Sequence, residues 1–108
     1  MTGATLSEQD FRLEADRALE QAQRALLPFA DQAGFEVELQ NGVLQLIFED
    51  PPAKFVVSPN APVRQVWVSA LSRSYKLSWA GDASTFALDG ERLTVLLERL
   101  AREHLQTA

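Results

Sequence analysis

The chain contains no cysteine. This excludes disulfide staples, thiolate metal centres and thiol redox chemistry together, and it fits a reducing compartment. A single histidine is present, His104, so no imidazole cluster can assemble. Ser/His/Asp chemistry would have one possible base and no nucleophile motif around it. The five glycines form no phosphate-cradling loop, and Gly81 and Gly90 read as turn residues. No apolar run approaches the roughly 20 residues that span a bilayer. The opening Met1-Thr2-Gly3-Ala4-Thr5 has no basic segment leading into an apolar stretch. The expectation is a cytoplasmic protein with no membrane partner. Basic residues are in the minority, 10 Lys and Arg against 15 Asp and Glu, for a net charge of −5. This disfavours nucleic acid, whose phosphates attract basic residues. It favours cations or basic protein surfaces as partners.

What remains is a chain of 108 residues, 46% of them hydrophobic. That length predicts one domain, 1–108, with a core that needs no covalent or metal support. Ser7-Glu8-Gln9-Asp10 resembles a capping box. Phe11, Ala15, Ala18, Leu19, Ala22, Leu26 and Phe29 follow at helical spacing. Pro28 then predicts that the helix closes around Leu26 to Phe29. Phe35, Val37 and Leu39 alternate with Glu36 and Glu38, as in a half-buried strand. Asn41-Gly42 marks a hairpin into a second strand with Leu44, Leu46 and Phe48 as its core face.

Asp50-Pro51-Pro52 breaks that strand. A short third strand is expected over 54–58, with a turn at Pro59-Asn60-Ala61-Pro62. The strand bearing Trp67 comes fourth, followed by strands over 74–79 and 84–88 around a turn at Gly81-Asp82. Asp89-Gly90 is read as the opening of a final helix. Its apolar face comprises Leu93, Val95, Leu96, Leu97, Leu100, Ala101 and Leu105. Arg99, Arg102 and His104 lie in its last turns, where cations suit the dipole. His104 is expected to be a solvent-exposed helix-end residue.

Helix, about six strands and helix imply an α+β fold. Strands joined by tight turns pair antiparallel. Terminal helices flanking such a meander cover one sheet face, giving a two-layer sandwich. The other face then carries Gln45, Ile47, Val56, Ser58, Gln65 and Trp67, because alternate side chains point to opposite sides. In Gln65-Val66-Trp67-Val68-Ser69 the valines take the core face and the indole is left outside. An exposed tryptophan suits a recognition surface. The plainer reading is an indole half covered by a loop or a long neighbouring side chain.

The segment from Asn41 to Glu49 resembles the hairpin and second strand of the frataxin family. Asn60, Pro62, Gln65 and Trp67 are similar to the family segment that ends in Gln-hydrophobic-Trp. Tyr75 and Trp79 fall where the family has an aromatic strand, and Leu96-Leu97 falls in its closing helix. The resemblance spans essentially the whole chain in element order. It implies an iron-binding accessory protein of iron–sulfur cluster assembly, an iron donor or regulator rather than an enzyme. The implied partners are a cysteine desulfurase and the iron–sulfur scaffold protein, and the protein is expected to be a monomer without metal. The implied iron, ferrous or ferric, is weakly held at the surface. The acids that match the family's acidic ridge are Asp10, Glu14, Asp16, Glu20, Asp31, Glu36 and Glu38. The partner-binding positions are Gln45, Ser58, Asn60, Gln65 and Trp67.

Carboxylates suit a fairly hard cation such as iron. Asp10 and Glu14 share one helix flank, and Asp16 and Glu20 another. The ridge is thinned, however. Its later turns read Gln21-Ala22-Gln23-Arg24, and Arg12, Arg17 and Arg24 interrupt it. Glu14 with Arg17, or Glu20 with Arg24, can pair internally, which predicts weak iron binding. Ser58 stands where family members often carry Asn. Two other functions compete: a metal-independent protein-interaction module around Trp67, and, ranked last, an iron oxidase, for which no buried di-iron motif exists.

Overall fold

The computed structural model describes residues 6–106. Helix α1 (Glu8–Ala33) begins where Ser7 caps it, its hydroxyl accepting the Asp10 backbone N–H at 3.1 Å. The apolar stripe from Phe11 through Ala30 is buried. The helix runs past Pro28, contrary to the expected end at 26–29. Pro28 lacks the N–H that would bond the Arg24 carbonyl, but both residues are exposed, so water can serve that carbonyl. The following turn is held by burial: Ala30 is 2% exposed and Phe29 packs edge-on to Phe35 at 5.3 Å. Gly34 ends the helix in the left-handed region, φ 83°, its N–H bonded to the Ala30 carbonyl. Only glycine takes this cap conformation readily.

Strands β1 (Glu36–Gln40), β2 (Val43–Glu49), β3 (Pro52–Asn60), β4 (Gln65–Ala70), β5 (Arg73–Ala80), β6 (Thr85–Leu88) and β7 (Glu91–Arg92) form one antiparallel sheet in sequence order. Helix α2 (Leu93–Gln106) follows. Asn41 (φ 54°) and Gly42 (φ 75°) make the expected two-residue turn between β1 and β2. Asp89-Gly90 behaves differently from expectation. Both residues have positive φ, and they join β6 to β7 before α2 starts. An Asp-Gly pair is itself a hairpin signal, so the seventh strand arises where a helix start was expected.

Leu44, Leu46, Phe48, Phe55, Val57, Val66, Val68, Leu77 and Phe86 point to one side of the sheet and share a single core with the buried faces of α1 and α2. Both helices therefore cover the same face, and the fold is the expected two-layer α+β sandwich. Val95, placed by its spacing on the apolar face of α2, is instead 47% exposed. No helix among the described residues is long and apolar enough to cross a membrane.

Three side chains tie loops and layers together. Arg64 donates to the carbonyls of Leu6 and Ala61, joining the β3–β4 connection to the entrance of α1. Arg99 forms a two-bond pair with Glu91, at 2.8 and 2.9 Å, and also meets Glu103. The Arg99 hydrogen bonds hold the Glu91 carboxyl below its usual range. His104 corrects the expectation of exposure, being only 6% exposed. Its Nε2 lies 2.8 Å from the Pro51 carbonyl, and its ring packs on Phe48 at 4.7 Å.

The β4–β5 turn is strained. Leu71 (φ 54°) and Ser72 (φ 64°) occupy the left-handed region, where a side chain costs about 1–2 kcal/mol per residue. Leu71→Asn combined with Ser72→Gly supplies the pair this turn favours. The double variant is expected to raise the unfolding free energy by about 1–2 kcal/mol, read by urea denaturation. No gain would show that the turn is relaxed as it stands.

Candidate functional site

The sheet face away from the helices is the first candidate surface. On β4, Val66 and Val68 are fully buried while Trp67 is 36% exposed. Strand β4 is the middle strand of seven, so the indole stands near the centre of the open face. Ser58 on β3 and Lys76 on β5 lie directly opposite Trp67. Asn60 and Ser78 flank Gln65 in the next row. Gln45 sits further out, between Glu38 on β1 and Val56 on β3. The fold thus brings Ser58, Asn60, Gln65 and Trp67 onto two adjacent strands, with Gln45 one strand beyond.

The indole is held in place. Trp67 Nε1–H donates to Gln65 Oε1 at 3.0 Å, satisfying its one polar atom. The Lys76 ammonium lies 4.9 Å from the ring centroid, within cation–π range. Both sequence readings of Trp67 therefore apply: it faces outward, and a long neighbour partly shelters it. Sequence reasoning missed Lys76. The signal would have been the register: a two-residue turn at 71–72 places residue 76 across from 67. Leucine and serine do not advertise such a turn.

The acids form the second candidate surface, and they are spread out. Asp10 and Asp31 lie 21 residues apart on α1, about 32 Å at 1.5 Å per residue. The seven acids therefore cannot converge on one ion. Among the described residues, no group of three His, Cys, Asp or Glu side chains is arranged to hold a metal. Asp16 and Glu20 border the β1–β2 hairpin beside Leu39 and Gly42. Glu38 lies across that hairpin, beside Gln40 and Gln45. Glu36 and Glu38 point outward on β1, as expected. Glu14 is drawn to Arg17 at 3.5 Å. The other expected pair, Glu20 with Arg24, does not form among the described residues. Asp10, Asp31 and Asp16 are exposed, and α1 offers carboxylates in pairs at most.

A groove of about 490 Å³ runs between α1 and the hairpin, lined by Arg12, Asp16, Asn41 and Ser58 among others. It is open and shallow. Arg12 there is already engaged by Glu8 at 2.8 Å, and that pair lowers the Glu8 carboxyl from its usual range. Nothing in the groove couples a nucleophile to a base.

Comparison with known proteins agrees with this architecture. The family model of the frataxin-like domain matches residues 4–107. A protein of Janthinobacterium sp. (strain Marseille), named iron-sulfur cluster assembly protein CyaY, is 28% identical over 97 residues, covering 88% of this chain and 87% of that protein. Its namesake from Cupriavidus metallidurans is 39% identical over 67 residues, 60% of each chain. Among solved structures, the frataxin of Psychromonas ingrahamii superposes with a TM-score of 0.71. It covers 92% of this chain and 91% of its own, at 17% sequence identity, and so attests the fold alone. With the model matching nearly end to end, this chain belongs to the frataxin-like domain family.

Proposed function

We propose that the chain serves iron–sulfur cluster assembly as a small acidic adaptor in the cytoplasm. It docks on a cysteine desulfurase and scaffold complex through the open sheet face. It presents weakly held, exchangeable iron as cargo on the carboxylates of α1 and β1. The observation that carries this reading is the central position of Trp67 on a sheet face that neither helix covers. Further support comes from relatives whose names state iron–sulfur cluster assembly. Gln45, Ser58, Asn60 and Gln65 supply the hydrogen-bonding groups around the indole. Asp16, Glu20, Glu36 and Glu38 are the acids best placed to engage iron near the hairpin, and Asp10, Glu14 and Asp31 extend the negative field along α1. The protein acts as a monomer and supplies no catalytic step.

The function rests on association, so the test is a titration of the chain into a purified desulfurase–scaffold complex. A negative chain meeting a basic surface gains on-rate from charge, and salt screens that gain. Affinity is expected to fall roughly tenfold between low and high salt. An affinity indifferent to salt would remove the acids from the docking surface. The dispersion of the carboxylates favours a second reading, a docking module that needs no metal. Adding ferrous iron while following the backbone amide resonances of Glu36 and Glu38 separates the two. Selective shifts at those positions support iron as cargo, and their absence supports the metal-independent module.

A further inference from the structure

The outward positions of β3, β4 and β5 hold no acid, although the chain as a whole is negative. They carry two cations, Lys54 and Lys76, and both are exposed. Among the described residues no carboxylate pairs with either. Lys76 is the more constrained, since its ammonium rests over the Trp67 ring. A partner that buries the indole must therefore also cover or displace this charge. Burying an ammonium without a counter-charge is strongly unfavourable.

From this we propose that Lys76 is a specificity residue of the docking face, and that the partner surface fitting over Trp67 presents a side-chain carboxylate to it. The proposal rests on the docking reading above and specifies the partner's chemistry. The partner would carry opposite charges in two zones: basic where it meets the acids of β1 and α1, acidic where it meets the middle strands. That arrangement fixes orientation, because a partner turned around would set like charges together. The Gln65 hydrogen bond contributes by holding the indole edge, so that Lys76 keeps its place above the ring before the partner arrives.

The test is a set of titrations against a purified cysteine desulfurase–scaffold complex, with circular dichroism verifying that each variant is folded. Lys76→Glu is expected to weaken binding about tenfold or more. Lys76→Met, which keeps the apolar stem, is expected to weaken it roughly threefold and to alter its salt dependence. Lys54→Glu makes the same change in net charge elsewhere on the same face and is expected to have the smaller effect. Lys76→Glu binding as well as or better than the parent, while Trp67→Ala is weakened, overturns the role of Lys76 and leaves docking intact. Equal weakening by Lys54→Glu and Lys76→Glu also overturns it, since a diffuse field would then suffice. Parental affinity in Trp67→Ala removes the docking reading and this inference together.

Discussion

Replacing His104 by alanine is expected to lower the unfolding free energy by about 3 kcal/mol, or roughly 15 °C in melting temperature for a domain of this size. Two losses add. A carbonyl can only accept, so His104 Nε2 carries the hydrogen shared with Pro51 at 2.8 Å. Its removal strips the Pro51 carbonyl of that donor in a half-buried turn. The ring also fills the space beside Phe48 and Phe55, at centroid distances of 4.7 and 6.2 Å, and alanine leaves a cavity there. Phe48 in turn stacks on Phe35 at 4.6 Å, and Phe35 on Phe29. The imidazole therefore closes an aromatic row from the end of α1 to the end of α2 and ties both helices to the β2–β3 turn. His104→Leu separates the two contributions. It restores most of the volume, loses the hydrogen bond, and is expected to cost about 1–2 kcal/mol. Urea denaturation measures both. A His104→Ala loss below about 1 kcal/mol would mean that the helix end is not anchored through this ring.

The contrast between His104 and its sequence reading shows which features local pattern carries. A histidine in the last turn of a polar helix suits the dipole wherever it points, so composition favoured solvent. The contact that buries it comes from Pro51, 53 residues away, and no periodicity within α2 reports it. Strand alternation, by contrast, is set by local geometry. Hence Leu44, Leu46 and Phe48 lie inward, and Gln45, Ser58, Gln65 and Trp67 lie on the open face as expected. Element ends were less legible. Pro28 looked like a stop, yet the burial of Ala30 and the left-handed cap at Gly34 carried α1 further. Asp89-Gly90 has the same turn chemistry as Asn41-Gly42, but the strand it opens is two residues long, too short to leave an alternating signature. The acids show the opposite problem. Their spacing on α1 was readable as pairs, but whether seven of them converge depends on helix length, and α1 spreads them too far.

Trp67→Ala is expected to weaken binding to the desulfurase–scaffold complex by about 2 kcal/mol or more, roughly thirtyfold, while the fold persists. The difference between the two effects follows from where the indole sits. In the free protein the ring packs against no core residue; its neighbours on either side, Val66 and Val68, are buried on the opposite face. What it loses on truncation is the Gln65 hydrogen bond and the Lys76 contact, both at the surface, worth together about 1 kcal/mol. At an interface the same ring would lie near the centre of the buried patch, where large aromatic side chains dominate the binding energy because surrounding contacts exclude water. Trp67→Phe keeps an apolar ring face under Lys76 but loses the Nε1–H donor, and its affinity is expected to fall between alanine and the parent. That ordering distinguishes an anchor from a spacer: a spacer would make alanine and phenylalanine equivalent. A folded Trp67→Ala variant with the parent's affinity would leave only the dispersed acids to carry recognition, and dispersed surface charges give steering rather than a fixed complex.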